Sequence, residues 1–116
     1  VSNSAAHTAL VHAILADLGA LPGVVLAANP CGHAVYTSES GKVSRVVYGW
    51  PAPGGPDLLA VLAPLGRMVA LECKTGRARL TRAQRAVHAA LRAVGVSVHT
   101  VATVAEARAA MGGLAA

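Results

Sequence analysis

The chain has 116 residues, 54% of them hydrophobic, which is enough for a buried core without disulfides or a structural metal. No stretch approaches the roughly 18 consecutive apolar residues of a membrane-spanning helix, since Pro64 breaks the longest apolar run, Leu58 to Leu65. Ten Lys and Arg against five Asp and Glu give a net charge of +5, and from Cys73 to Ala105 there is no acid at all, a footprint suited either to a polyanion or to a plain solvated surface.

The first residues, VSNSAAHT, lack a charged segment followed by an apolar block, so no signal peptide is expected. From about Ser4 to Leu18, the residues Leu10, Val11, Ile14 and Leu18 recur at helical spacing, with Ser4 as an N-cap candidate. Gly19 and Pro22-Gly23 end this helix, and Val24 to Leu26 forms a short strand before the Asn29-Pro30 loop. Ala34 to Thr37 and Val43 to Tyr48 flank a Ser-Glu-Ser-Gly turn and predict a hairpin. The following GWPAPGGP, rich in proline and glycine, is a loop. Asp57 to Ala63 and Met68 to Cys73 are apolar runs suited to strands buried on both faces. Thr81 to Val94 predicts a helix whose inward stripe is Ala83, Val87, Ala90, Leu91 and Val94. A strand over Val96 to Val101, a helix over Thr103 to Met111 and a frayed tail at 112–116 complete the chain. The order α-β-β-β-β-β-α-β-α predicts an α/β fold, a central mixed β-sheet flanked by helices, in one domain spanning 1–116.

Asp57 and Glu72 are two of only five acids, and both fall within these apolar runs. If the two strands are neighbours joined by the Pro64-Leu65-Gly66 turn, Asp57 is brought beside Glu72. Alternation along the strand puts Glu72 and Lys74 on one face and Cys73 on the other. Two carboxylates this close repel each other unless a positive charge binds between them. A hard cation such as Mg²⁺ suits the pair, because it takes one or two carboxylates, keeps waters and leaves room for phosphate oxygens. The Cys73 backbone carbonyl is a further candidate ligand. Lys74, one of two lysines among ten basic residues, would orient and deprotonate attacking water or neutralise a pentavalent phosphate. The competing reading is a structural Asp57–Lys74–Glu72 salt-bridge cluster at a strand end.

Pro56-Asp57…Glu72-Cys73-Lys74 resembles the PD-(D/E)XK nuclease motif. Its surroundings are Tyr48-Gly49, Gly55-Pro56-Asp57, the Gly66-Arg67 turn, Lys74-Thr75-Gly76 and Thr81…Gln84. Together they resemble the VRR-NUC branch, the virus-type replication-repair nuclease domain, over about His7 to Val104. The resemblance implies a restriction-endonuclease-like core and a Mg²⁺- or Mn²⁺-dependent endodeoxyribonuclease. Stand-alone members of the branch are thought to act as homodimers on branched DNA such as Holliday junctions, in DNA repair. It further implies Asp57 and Glu72 as metal ligands, Lys74 as the catalytic lysine, and Gln84 as the glutamine supplied by the next helix. Thr81-Arg82-Ala83-Gln84 also satisfies a helix capping box, so Gln84 has two roles open to it. Arg77, Arg79, Arg82 and Arg85 are the candidate DNA-backbone contacts.

Two departures stand out. Many relatives carry a first-helix glutamate that completes the metal site; the aligned residue here is His7, either a core residue or a substitute ligand. An arginine that often precedes the loop asparagine is replaced by Ala28. Cys31-Gly32-His33 lacks partners at ligand spacing, His7 and His12 do not share a helical face, and Trp50 suits packing or base stacking. The cysteine usage fits a reduced intracellular compartment, and the expected location is cytoplasmic, of bacterial or phage type. The alternative function is a catalytically degenerate DNA-binding module of the same fold.

Overall fold

The computed structural model describes residues 2–51 and 53–112; the end of the tail expected to fray, 113–116, lies outside the described residues. Nine elements follow in the expected order: α1 (Ser2–Leu18), β1 (Val24–Ala28), β2 (Gly32–Thr37), β3 (Val43–Tyr48), β4 (Leu58–Leu62), β5 (Arg67–Cys73), α2 (Arg82–Ala93), β6 (Ser97–Val101) and α3 (Val104–Ala110). Helix α1 starts before Ser4, which therefore lies inside the helix and is not its cap.

Four strands form a mixed sheet in the order β1-β4-β5-β6. The β1–β4 and β4–β5 pairs are antiparallel, and β5 and β6 run parallel, linked by a crossover through α2. Burial follows strand alternation. Val69, Leu71 and Cys73 of β5 join Ile14 and Leu18 of α1 and Ala107 and Met111 around α3 in the larger core, all with essentially no exposure. The other face of the sheet gives a smaller core, in which Ala70 meets Leu91 of α2 and Val98 of β6. One helix covers that second face, so β4 is not buried on both sides as expected. Leu58, Ala60 and Leu62 are buried, whereas Val61 is exposed.

Strands β2 and β3 form their own two-stranded antiparallel ribbon, not part of the main sheet. Its apolar side chains, including Val35, Tyr36, Val43 and Val47, are largely exposed. Among the described residues no helix is long and apolar enough to cross a membrane. Both cysteines are free.

Candidate functional site

The β4–β5 turn brings the two carboxylates together. Gly66 closes it, donating its amide to the Leu62 carbonyl at 2.9 Å. The register pairs Leu58 with Leu71, and the next step along it sets Asp57 opposite Glu72. Asp57 Oδ2 accepts the Cys73 amide at 2.8 Å and lies 3.2 Å from His7 Nε2. The first-helix histidine therefore touches the carboxylate itself. Asp17, the one acid on α1, pairs with Arg108 at 2.6 Å and is occupied elsewhere.

Glu72 is 1% exposed. Its Oε1 meets His88 Nε2 at 3.1 Å, and its Oε2 accepts from Gln84 Nε2 at 3.3 Å. Burial pushes its carboxyl up to about 9, reinforced by the Asp57 carboxyl within hydrogen-bonding reach; the Lys74 charge pulls the other way. Burial and the neighbouring carboxyl thus favour the protonated form of Glu72. Cys73 points into the opposite core, where burial pushes its thiol up to about 12, so the sulfur is an inert core group.

Helix α2 carries both partners of Glu72. Thr81 caps it: its hydroxyl accepts the Gln84 amide at 3.1 Å, and Gln84 Oε1 accepts the Thr81 amide at 2.9 Å. Gln84 therefore serves the cap with its oxygen and meets Glu72 with its nitrogen. The inward stripe is rotated from the expected one. Val87 is half-buried and His88 and Leu91 are buried, whereas Ala83 and Ala90 are exposed and Val94 is 78% exposed. Alanine buries too little surface to fix a helix's rotation, whereas a satisfied His88–Glu72 contact does. His88 is the functional candidate that sequence reasoning passed over; its one signal is its place a turn beyond Gln84 on the same flank. Burial, with Arg92 and Lys74 adding to it, lowers its pKa and keeps it neutral.

Asn29 is the second such residue. Its amide donates to the Asp57 carbonyl at 2.8 Å, and its side-chain nitrogen donates to the carbonyls of Pro56, at 2.9 Å, and Trp50. Its Oδ1 accepts the Trp50 amide at 3.0 Å. One side chain thus ties the glycine-proline loop to the start of β4. Gly54 completes the seating: its φ is +89°, and a Cβ there would stand 2.7 Å from the Ala83 backbone. Replacing Asn29 with alanine is expected to destabilise the fold by about 1–3 kcal/mol, read as a lower unfolding midpoint. An unchanged midpoint would show that the loop does not depend on this tie.

The remaining candidates are on the surface. Lys74 is half-buried at the end of β5, and Arg77, Arg79, Arg82 and Arg85 are exposed. Among the described residues none of the five has a carboxylate within salt-bridge distance. Arg85 instead donates to the Leu80 carbonyl at 2.8 Å. His7 and His12, expected on different faces, both border one cleft of about 220 Å³ that reaches Asp57. Trp50 is half-exposed, and Cys31 is engaged with Asn29.

Among the described residues no three His, Cys, Asp or Glu side chains are spaced to hold a metal ion. That excludes a closed thiolate or imidazole cage of the zinc type. It leaves a carboxylate pair, the donor set that Mg²⁺ or Mn²⁺ uses when water and phosphate oxygens fill the other positions. An ionised carboxylate offers about four lone-pair sites, so the contacts on Asp57 and Glu72 leave lone pairs for a cation. The donor set fits.

No protein-family model matches the chain, and no curated protein matches it. Among solved structures, a chain titled "VRR_NUC domain" matches with a TM-score of 0.53 at 22% identity, over 86% of this chain and 87% of that one. The mixed sheet flanked by helices is the VRR_NUC fold.

Proposed function

We propose that the chain is a single-domain, Mg²⁺- or Mn²⁺-dependent DNA endonuclease, working as a homodimer on branched DNA inside the cell. One observation carries the reading: adjacent antiparallel strands set Asp57 opposite a buried Glu72 whose carboxyl is pushed up by burial and by Asp57, with Lys74 two residues on. The fold match supports it.

When bound, the cation lowers the pKa of water and offsets charge on the scissile phosphate. Asp57 and Glu72 would hold it, with the Cys73 carbonyl as a further candidate oxygen. His7 orients Asp57 where many relatives carry a glutamate. Gln84 holds Glu72. Lys74 orients the attacking water and neutralises charge on the pentavalent phosphate as the phosphorus–oxygen ester bond breaks. Arg77, Arg79, Arg82 and Arg85 grip the backbone. Two-fold pairing would present two such sites to two strands.

The test incubates the chain with supercoiled plasmid and a synthetic four-way junction, in Mg²⁺, in Mn²⁺ and in EDTA. Cutting with either metal and none in EDTA is the expected result. A histidine in place of the acid on α1 favours one alternative, a DNA-binding module without activity, for which the chain binds the junction and never cuts. For about four phosphate contacts, junction affinity should fall roughly 10²-fold between about 50 and 200 mM salt. Salt-independent affinity would remove the arginines from the interface.

A further inference from the structure

Helix α2 presents two polar side chains to one buried carboxylate. Gln84 and His88 are four residues apart, and each takes a different oxygen of Glu72. His88 is as buried as Glu72, each at 1% exposure. Its second ring nitrogen, Nδ1, has no hydrogen-bond partner. A ring serving only to fill space would be better replaced by an apolar side chain of similar size, which leaves no buried nitrogen unpaired. The ring's position is explained by its Nε2.

We propose that His88 is a positioning residue: it donates its Nε2–H to Glu72 Oε1 and, with Gln84 on Oε2, fixes the carboxylate in one orientation toward Asp57 and the divalent cation between them. This rests on the metal-dependent reading above. The carboxylate turns about its terminal bond with little resistance. One donor would leave it free to swing; two donors from a single rigid helix do not. Hydrogen bonds to the groups that hold a metal commonly change its affinity 10–100-fold.

Two measurements test the proposal. The first reads the ring directly: histidine ¹⁵N spectra of the intact metal-free chain above about pH 9, where Glu72 is ionised and can only accept, with the His88 signal identified by its loss in His88→Gln. A neutral ring protonated on Nε2 is expected, and protonation on Nδ1 overturns the proposal. The second compares Mn²⁺ affinity by calorimetry in wild type, His88→Leu and His88→Gln, with unfolding midpoints recorded alongside. Leucine fills the space without a donor and should weaken Mn²⁺ at least roughly 10-fold. Glutamine returns an N–H near the Nε2 position and should recover affinity to within about 3-fold of wild type. Wild-type affinity in His88→Leu, or equal loss in both variants, reduces His88 to packing. If wild type itself binds neither Mn²⁺ nor Mg²⁺, the nuclease reading fails instead, and the ring spectrum still decides whether His88 donates to Glu72.

Discussion

Replacing Lys74 with methionine is expected to slow metal-dependent DNA cleavage by roughly 10²–10⁴-fold while costing no more affinity than one phosphate contact. The backbone at this position is fixed independently of the side chain, because the Lys74 amide donates to the Val101 carbonyl at 3.0 Å. The ammonium acts on Glu72, where it opposes the upward push of burial and Asp57. Methionine keeps an unbranched stem and removes only the charge and the three donors. Arginine restores the charge as a planar, more weakly hydrated fork, so Lys74→Arg should recover binding and little of the rate. Lys42, the other lysine, sits outside the site at the start of β3's approach; Lys42→Met is the control and should cut normally. Single-turnover rates separate chemistry from binding, and fluorescence anisotropy on the junction reads affinity. Normal rates in Lys74→Met would show that the lysine only balances charge near Glu72 and takes no part in the chemistry.

What the sequence disclosed about this site follows the range of each contact. Asp57 and Glu72 face each other because a short turn sits midway between them and strand alternation does the rest, and both features are local. The capping role of Gln84 is likewise written in four residues. Its second contact is not, since Glu72 lies 12 residues away and only the parallel β5–α2–β6 crossover brings it within 3.3 Å. The rotation of α2 differs from the expected one for the same reason. An apolar count favours Ala83 and Ala90, whereas the inward-facing His88 depends on a partner 16 residues distant. Asn29 is the extreme case: its partners lie 21 to 28 residues ahead, in a loop with no periodicity to read. Whether β2 and β3 would join the main sheet was equally illegible, because alternation within a hairpin specifies its own pairing and says nothing of a third strand.

In EDTA, stability is expected to fall as pH rises from about 7 to about 9, and saturating Mn²⁺ should flatten that fall. The sign follows from Glu72. Its folded pKa is raised from 4.5 to about 9, so between these values the folded chain holds a proton that the unfolded chain has released. Its stabilising neutral form is fully present below about 4.5 and is lost through about 9. At roughly 1.4 kcal/mol per pH unit, the loss amounts to several kcal/mol at most. His88 has the opposite slope. Its pKa is lowered from 6.5, so the unfolded chain binds its proton first and stability falls as pH drops through that region. Comparing about pH 7 with about pH 9 therefore isolates Glu72, since Cys73, raised to about 12 from 9.0, enters only at the upper end. A cation binds the ionised pair, so at about pH 7 it must first displace the Glu72 proton, whereas at about pH 9 that cost has largely gone. Mn²⁺ should consequently raise the unfolding midpoint more at about pH 9 than at about pH 7. Glu72→Gln removes the titrating group and should abolish most of both effects. A pH-independent midpoint in wild type, with no added response to Mn²⁺ at high pH, would mean that the buried carboxyl is satisfied by its hydrogen bonds alone and has no need of a metal.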